Sequence, residues 1–291
     1  MTVGAAPVVA IVSPGAMGSA IGATLERGGA RVVATVDGRS ERTRSLVGRT
    51  RIELLPDLET VVREASVVLS IVPPEAAQAV VGDLARTARN LGAHPLVADV
   101  NAISPGTARR LAETATSAGC ELVDGSISGP PPWKAETTRL YLSGPRAADV
   151  ASLPFEGVDR IVVGTRVGAA SAVKMSTASV YKGTTALLLQ ALLAARANGV
   201  LEHVVADLRT AAPELLADVE RLLAGAAAKS RRYVREMREI ADTQDAAGLT
   251  PALFEAMAEV YERVANTELA RTSPEDIRPD ARLGDLLDRL F

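Results

Sequence analysis

Between residues 8 and 163, short unbroken apolar runs alternate with segments whose apolar positions recur every three or four residues. The first pattern suits strands buried on both faces, and the second suits amphipathic helices. Strands are predicted at 8–12, 31–36, 66–72, 95–100 and 121–127, with shorter ones at 140–143 and 160–163. Helices are predicted at 16–27, 40–47, 59–64 and 75–89, and from Ser104 onward with Pro105 in the first turn. Gly28-Gly29 stops the first helix, and Pro73-Pro74 ends the strand before it. Such alternation predicts an α/β domain: a right-handed, doubly wound, mostly parallel sheet with helices on both faces.

The pattern changes near Gly164. One long helical repeat, rich in Ala and Leu, runs from 167 to 198 and is closed by Gly199. Further helical segments follow at 202–207, 213–227, 231–243, 251–270 and 281–290, and no strand pattern follows them. The chain therefore divides into an α/β domain over 1–165 and an all-helical domain over 166–291. The apolar run 186–195 is interrupted by Gln190 and ended by Arg196, well below a membrane span. Apolar faces on several sides of the long helix need several partners, so a homodimer through the C-terminal helices is expected.

Composition narrows the function. With 32 basic and 35 acidic residues the net charge is −3, so no basic excess exists for a nucleic-acid backbone to exploit. Cys120 is the single cysteine, which excludes an internal disulfide and a cysteine-based metal cluster. His94 and His203 lie far apart and lack metal-ligand spacing. No basic segment precedes a long apolar stretch at the N-terminus, so a cytoplasmic protein is expected.

Ligands of a parallel sheet bind beyond the carboxyl ends of its strands, and those ends carry the candidate chemistry. The first ends in Ser13-Pro14-Gly15-Ala16-Met17-Gly18, with a helix starting at once. That arrangement directs backbone N–H groups and a helix dipole at an anion, and the pyrophosphate of a dinucleotide is the candidate. The full fingerprint is G-x-G-x-x-G, and Ser13 stands at its first position. The second strand ends in Asp37-Gly38-Arg39-Ser40, with Arg42 behind it. An acid there would take a ribose 2′-OH, whereas Arg39, Ser40 and Arg42 suit the 2′-phosphate of NADP. Ser70-Ile71-Val72-Pro73-Pro74 makes a rigid wall, and Asp99-Val100-Asn101 offers an amide for a nicotinamide ribose or a substrate, or for capping the next helix. Asp124-Gly125-Ser126-Ile127-Ser128-Gly129-Pro130 opens a rigid loop carrying two serines, suited to a small polar or carboxylate group and also compatible with a plain turn.

Lys174 lies early in the long helix among small, apolar neighbours. Desolvation and the helix N-terminus both favour the neutral amine that a general acid or base needs. Thr177 and Tyr181, three and seven residues on, share its helix face, and Lys182 follows.

In this order, Gly-Ala-Met-Gly, Gly-Arg-Ser, Pro-Pro, Asp-Val-Asn, Asp-Gly-Ser-Ile-Ser-Gly-Pro and Ser-Ala-Val-Lys-Met resemble the β-hydroxyacid dehydrogenase superfamily. That group contains the 3-hydroxyisobutyrate and 6-phosphogluconate dehydrogenases. The stretch Lys174–Gly183 suggests a bacterial branch with a distinct helical C-terminal domain. The resemblance implies a Rossmann-like domain, a helical dimerisation domain and a nicotinamide cofactor in a cleft between them. It implies Lys174 as the catalytic lysine and Ser126, Ser128 and Gly129 as the substrate loop. It places Asn101 in the loop that approaches the nicotinamide. Gly38 stands where NAD-preferring members carry an acid, so NADP(H) is expected over NAD(H). Thr177 departs from the asparagine that helps hold substrate in hydroxyacid members.

The reading that follows is an NADP-dependent oxidoreductase acting on a small β-hydroxy acid or related carbonyl. Imine reduction on the same scaffold is the alternative, which Thr177 favours and Lys174 disfavours. A non-catalytic NADPH-binding sensor is the third.

Overall fold

The computed structural model describes residues 6–271 and 282–290. The chain divides into two compact units, Met1–Met175 and Ser176–Phe291. The first contains strands β1 (Val8–Val12), β2 (Arg31–Ala34), β3 (Glu53–Leu54), β4 (Val67–Ser70), β5 (Leu96–Asp99), β6 (Leu122–Ser128), β7 (Arg139–Ser143) and β8 (Asp159–Gly164). They form one sheet in the order β3-β2-β1-β4-β5-β6-β7-β8, parallel throughout except for β6 against β7. The chain winds outward from β1 to β3 and then restarts on the other side at β4. The topological switch point, where such sheets bind ligands, therefore lies between the carboxyl ends of β1 and β4.

Helices α1 (Ala16–Arg27), α2 (Glu41–Val47), α3 (Leu58–Glu64), α4 (Pro74–Leu91), α5 (Pro105–Thr116) and α6 (Ala147–Ala151) complete the winding. Successive side chains of β1 feed two separate cores. Val9 and Ile11 pack with Ile21 and Leu25 of α1 and Val150 of α6. Ala10 and Val12 pack with Val62, Val81, Leu84 and Leu111 of α3, α4 and α5. This two-residue alternation between two buried faces is why the strands read as unbroken apolar runs.

β3 and α6 were not legible in the pattern. β3 is two residues long with both exposed, and α6 is little more than one turn. Neither is long enough to show a period.

The long helix is α7 (Ala169–Ala197), and the division between units falls inside it, at Met175/Ser176. The sequence reading placed the boundary at 165/166, where helical character begins. Contacts divide the chain ten residues later, because the first turns of α7 are bonded into β6 and β7.

In the second unit follow α8 (Leu201–Ala211), α9 (Val219–Ala227), α10 (Ser230–Ala246), α11 (Ala252–Ala265) and α12 (Leu283–Asp288), with no strand among the described residues. The single helix predicted over 213–227 is instead a 3₁₀ turn, Pro213–Leu215, followed by α9. Asp218 leaves the helical conformation at the start of α9, and its carboxylate pairs with Arg221. Apolar spacing continues across that break, so periodicity alone misses it. The predicted helix over 251–270 likewise ends at Ala265, before a 3₁₀ turn at Leu269–Arg271. Ala281, the predicted start of the last helix, lies outside the described residues.

The core of this unit is built from Leu189, Leu192, Leu223, Val264 and Leu287. Tyr261 is fully buried, packs edge-on against Tyr233 and donates a 2.7 Å hydrogen bond to the Lys182 carbonyl. The Lys182 ammonium pairs with the buried carboxylate of Glu236, which Arg232 also meets at 3.0 Å. No helix among the described residues is long and apolar enough to cross a membrane.

Candidate active site

At the switch point β1 ends at Val12 and α1 begins at Ala16. The three residues between them make the turn. Ser13 holds φ +62°, in the left-handed region that favours glycine. The serine at the first fingerprint position therefore keeps the backbone that a glycine would supply. The Ser19 hydroxyl donates to the Pro14 carbonyl at 2.6 Å, and Gly15 N–H donates to the Ser13 carbonyl at 2.7 Å. These bonds fix the turn from below.

No side chain among the described residues caps α1, and its first turn carries no acid. The N–H groups of that turn and the helix dipole are thus left for an external anion. A Cβ at Gly15 would meet nothing nearer than the Ser13 carbonyl oxygen, 4.0 Å away, so the backbone there is open to a phosphate. A Cβ at Gly18 would stand 3.1 Å from the Ser13 oxygen and 3.2 Å from Ile11 Cγ2. Glycine at that position is what lets α1 approach β1. The cradle formed by Ser13, Pro14, Gly15, Ala16, Met17 and Gly18 has the open backbone and free helix start that fit an anionic group such as a phosphate.

At the end of β2, Gly38, Arg39 and Ser40 are exposed. The Ser40 hydroxyl caps α2 by accepting from Thr43 N–H at 3.3 Å. Beside β1, the Ile71-Val72-Pro73 segment leaves β4 and Pro74 starts α4.

Asn101 binds this segment to the neighbouring strand end. Its Oδ1 accepts from Val72 N–H at 2.7 Å, while its Nδ2 donates to Asp99 Oδ2 at 2.7 Å and to Ser70 Oγ at 3.1 Å. Both amide hydrogens are used inside the fold. Capping of the next helix, the other role considered for Asn101, falls to Ser104, which accepts from Thr107 N–H at 3.2 Å.

β6 supplies the link to α7. Asp124, 1% exposed, sits beside Asp99 in the β5–β6 register. Its Oδ2 accepts from Gly168 N–H at 2.9 Å, Ser171 N–H at 3.1 Å and Ser143 Oγ at 2.8 Å, and its Oδ1 accepts from Ser171 Oγ at 2.6 Å. Ser143 Oγ in turn accepts from Ala170 N–H at 3.0 Å. A strand carboxylate thus caps the helix, satisfying donors that would otherwise be orphaned. Burial nevertheless pushes the Asp124 carboxyl above the usual carboxylate range, with the Ser171 bonds opposing it. Asp99, also 1% exposed, is pushed up to about 7, chiefly by burial, with its bonds to Asn101 and Ser70 opposing and Asp124 adding repulsion.

One turn beyond that cap stands Lys174, half-buried, whose Nζ donates to the Ile127 carbonyl at 2.8 Å. The lysine is thereby held at the carboxyl end of β6, beside Ser128 and Gly129. Gly129 takes φ +115°, and a Cβ there would fall 2.2 Å from the Thr137 carbonyl oxygen, so only glycine fits. Ser126 is fully buried, and its hydroxyl donates to the Ala170 carbonyl at 2.9 Å. Farther along α7, Thr177 is half-buried and Tyr181 is 72% exposed.

The sequence reading gave no roles to Asp99, Asp124, Ser70, Ser143 or Ser171. The signal available for the first two was an acid closing or interrupting an apolar strand, in Leu96-Val97-Ala98-Asp99 and Leu122-Val123-Asp124.

Residues 8–154, half of the chain, match the family described as the NAD binding domain of 6-phosphogluconate dehydrogenase, and residues 195–264 match a domain of unknown function, DUF1932. The chain belongs to the β-hydroxyacid dehydrogenase superfamily. A solved structure of a conserved protein, described as similar to 3-hydroxyacid dehydrogenases, shares 26% identity. The match covers 89% of this chain and 97% of that one, with a TM-score of 0.66. The 3-hydroxyisobutyrate dehydrogenase of Mycobacterium tuberculosis, solved with L-serine, has the same fold at 19% identity, covering 98% and 99%, with a TM-score of 0.69. So does an imine reductase variant from Myxococcus stipitatus in complex with NAD+, at 18% identity over 98% and 100%, with a TM-score of 0.54. As a superfamily member the chain is an NAD(P)-dependent dehydrogenase or reductase, and a nicotinamide nucleotide is its cofactor.

Proposed function

We propose that this β-hydroxyacid dehydrogenase superfamily member interconverts a small β-hydroxy acid and the corresponding carbonyl compound, using NADP(H), with Lys174 as general acid and base. The observation that carries this reading is the anchored lysine. Its Nζ is fixed 2.8 Å from the Ile127 carbonyl on a helix start locked to β6 by Asp124. The nicotinamide supplies hydride exchange with the substrate carbon. Lys174 Nζ would take the hydroxyl proton in oxidation, or protonate the carbonyl oxygen in reduction. Ser128, Gly129, Thr177 and Tyr181 would orient the substrate, so that proximity contributes much of the rate. Ser126 and Asn101, whose hydrogens are spent internally, would act by shaping their loops.

The α1 cradle would hold the pyrophosphate, and Val72 and Pro73 would wall the site. Arg39 and Ser40 would meet the 2′-phosphate, which is the basis for NADP(H) over NAD(H). The helical unit leaves Leu187 and Leu253 64% and 53% exposed beside one another on α7 and α11, which supports a homodimer through these helices. A monomer at micromolar concentration by light scattering would refute that pairing.

Thr177 favours imine reduction as a second reading, because it replaces the asparagine that holds hydroxy acids. Lys174 opposes it, since imine reductases of this superfamily usually carry another residue there. NADPH oxidation across a panel of β-aldehyde acids, β-keto acids and cyclic imines, with Lys174→Ala alongside, separates the readings. Carbonyl turnover that falls about 10²–10⁴-fold in the variant supports the first. Imine turnover that survives the substitution supports the second. Tight NADPH binding with no turnover in either protein points to a sensor.

A further inference from the structure

We propose that Asp99 is a positioning residue for the cofactor, acting through Asn101 on the Val72-Pro73 wall. The proposal rests on the reading of that wall as part of the nicotinamide site. Its basis is a chain of hydrogen bonds in which each partner leaves the next only one arrangement. Asp99 Oδ2 accepts from Asn101 Nδ2 at 2.7 Å, and Asp99 Oδ1 accepts from the Asn101 backbone N–H at 3.3 Å. Both Asp99 oxygens lie on N–H groups of Asn101, so the NH₂ end of the amide faces Asp99 and the flipped orientation is excluded. Ser70 Oγ, at 3.1 Å from the same Nδ2, strengthens that choice. Asn101 Oδ1 is consequently turned toward β4, where it meets Val72 N–H at 2.7 Å.

That last bond falls where the sheet stops supplying partners. β4 ends at Ser70, and the Val100 N–H already takes the Ser70 carbonyl. Ile71 N–H reaches Val12 only at 3.5 Å, and Pro73 and Pro74 have no N–H to give. The Asn101 side chain is thus what fixes the chain between the end of β4 and the start of α4, at the carboxyl end of the strand that pairs with β1. All members of the relay lie in the first unit, and Ser70, Asp99 and Asn101 are buried. Burying a carboxylate and an amide side by side is costly unless each is satisfied, so this arrangement holds one backbone geometry rather than adding general stability. Placing a wall to within a fraction of an ångström is what a hydride-transfer site requires of the residues behind it.

The test is equilibrium binding of NADPH to the full chain, followed by nucleotide fluorescence, with melting temperature measured on the same samples. Asp99→Ala and Asn101→Ala should each raise the NADPH Kd about tenfold, the worth of one misplaced hydrogen bond. The double variant should raise it no further than either single one, because both act through one bond to Val72. Asp99→Asn retains one acceptor for Asn101 and should recover most of the affinity, and it serves if the alanine variant fails to fold. A lowered melting temperature with unchanged Kd in these variants would overturn the proposal. So would fully additive effects in the double variant. If the unmodified chain binds no nicotinamide nucleotide, the cofactor reading fails instead, which the unmodified protein alone reveals.

Discussion

The Ser171 hydroxyl donates to Asp124 Oδ1 at 2.6 Å, joining a helix start to a strand 47 residues earlier in the chain. That carboxylate also takes the Gly168 and Ser171 N–H groups. The lysine on which the proposed chemistry depends sits three residues beyond Ser171, so its position is set from the sheet rather than from its own helix.

Replacing Asp124 with alanine should therefore affect both stability and turnover. Two backbone donors and two hydroxyls lose their acceptor inside the fold, at a cost of about 3 kcal/mol. A chemical denaturation midpoint measures that loss. Turnover at saturating substrate should fall with it, because Lys174 loses its reference point. Asp124→Asn keeps one acceptor and should fall between. Unchanged stability in the alanine variant would show that the cap is dispensable.

Ser13 adopts a left-handed backbone that costs a non-glycine residue about 1–2 kcal/mol. Ser13→Gly should stabilise the chain by roughly 0.5–1 kcal/mol after the added entropy of the unfolded glycine is counted. Ser13→Val should destabilise it. Urea denaturation of the two variants, with opposite signs expected, checks this.

Asp99 carries a pH signature. Its folded value of about 7 lies above its ordinary value of 3.8, so folding favours the protonated carboxyl. The stability it contributes is complete below the ordinary value, and it is lost as pH rises through 7. Asp99→Asn removes that titration. The melting temperature of the variant relative to the parent should therefore climb steadily between pH 4 and pH 7. A constant difference across that window would show that Asp99 ionises normally.

Arg39 is exposed at the end of β2, where a 2′-phosphate would lie. Arg39→Ala should raise KM for NADPH about tenfold and leave KM for NADH unchanged, since only the former loses a charge-assisted bond. Equal effects on both nucleotides would remove the basis for NADP preference.

The sequence by itself determined much of this protein. Val8–Val12 and Ala16–Arg27 stand at the predicted bounds, because an unbroken apolar strand and a Gly-stopped amphipathic helix are local signals. The cradle between them was legible because its glycines act through the backbone. Lys174 stands out in the sequence as a candidate because a lysine among small apolar residues is unusual in any helix. What Ser126 and Asn101 do with their polar atoms was decided only by tertiary structure, as was the part played by Asp99 and Asp124. Their partners are Ala170, Val72, Ser70 and Ser171, brought together by strand order and by the register that sets Asp99 beside Asp124. A buried polar group must find its partner wherever the fold places one, and residue spacing along the chain carries no record of that choice.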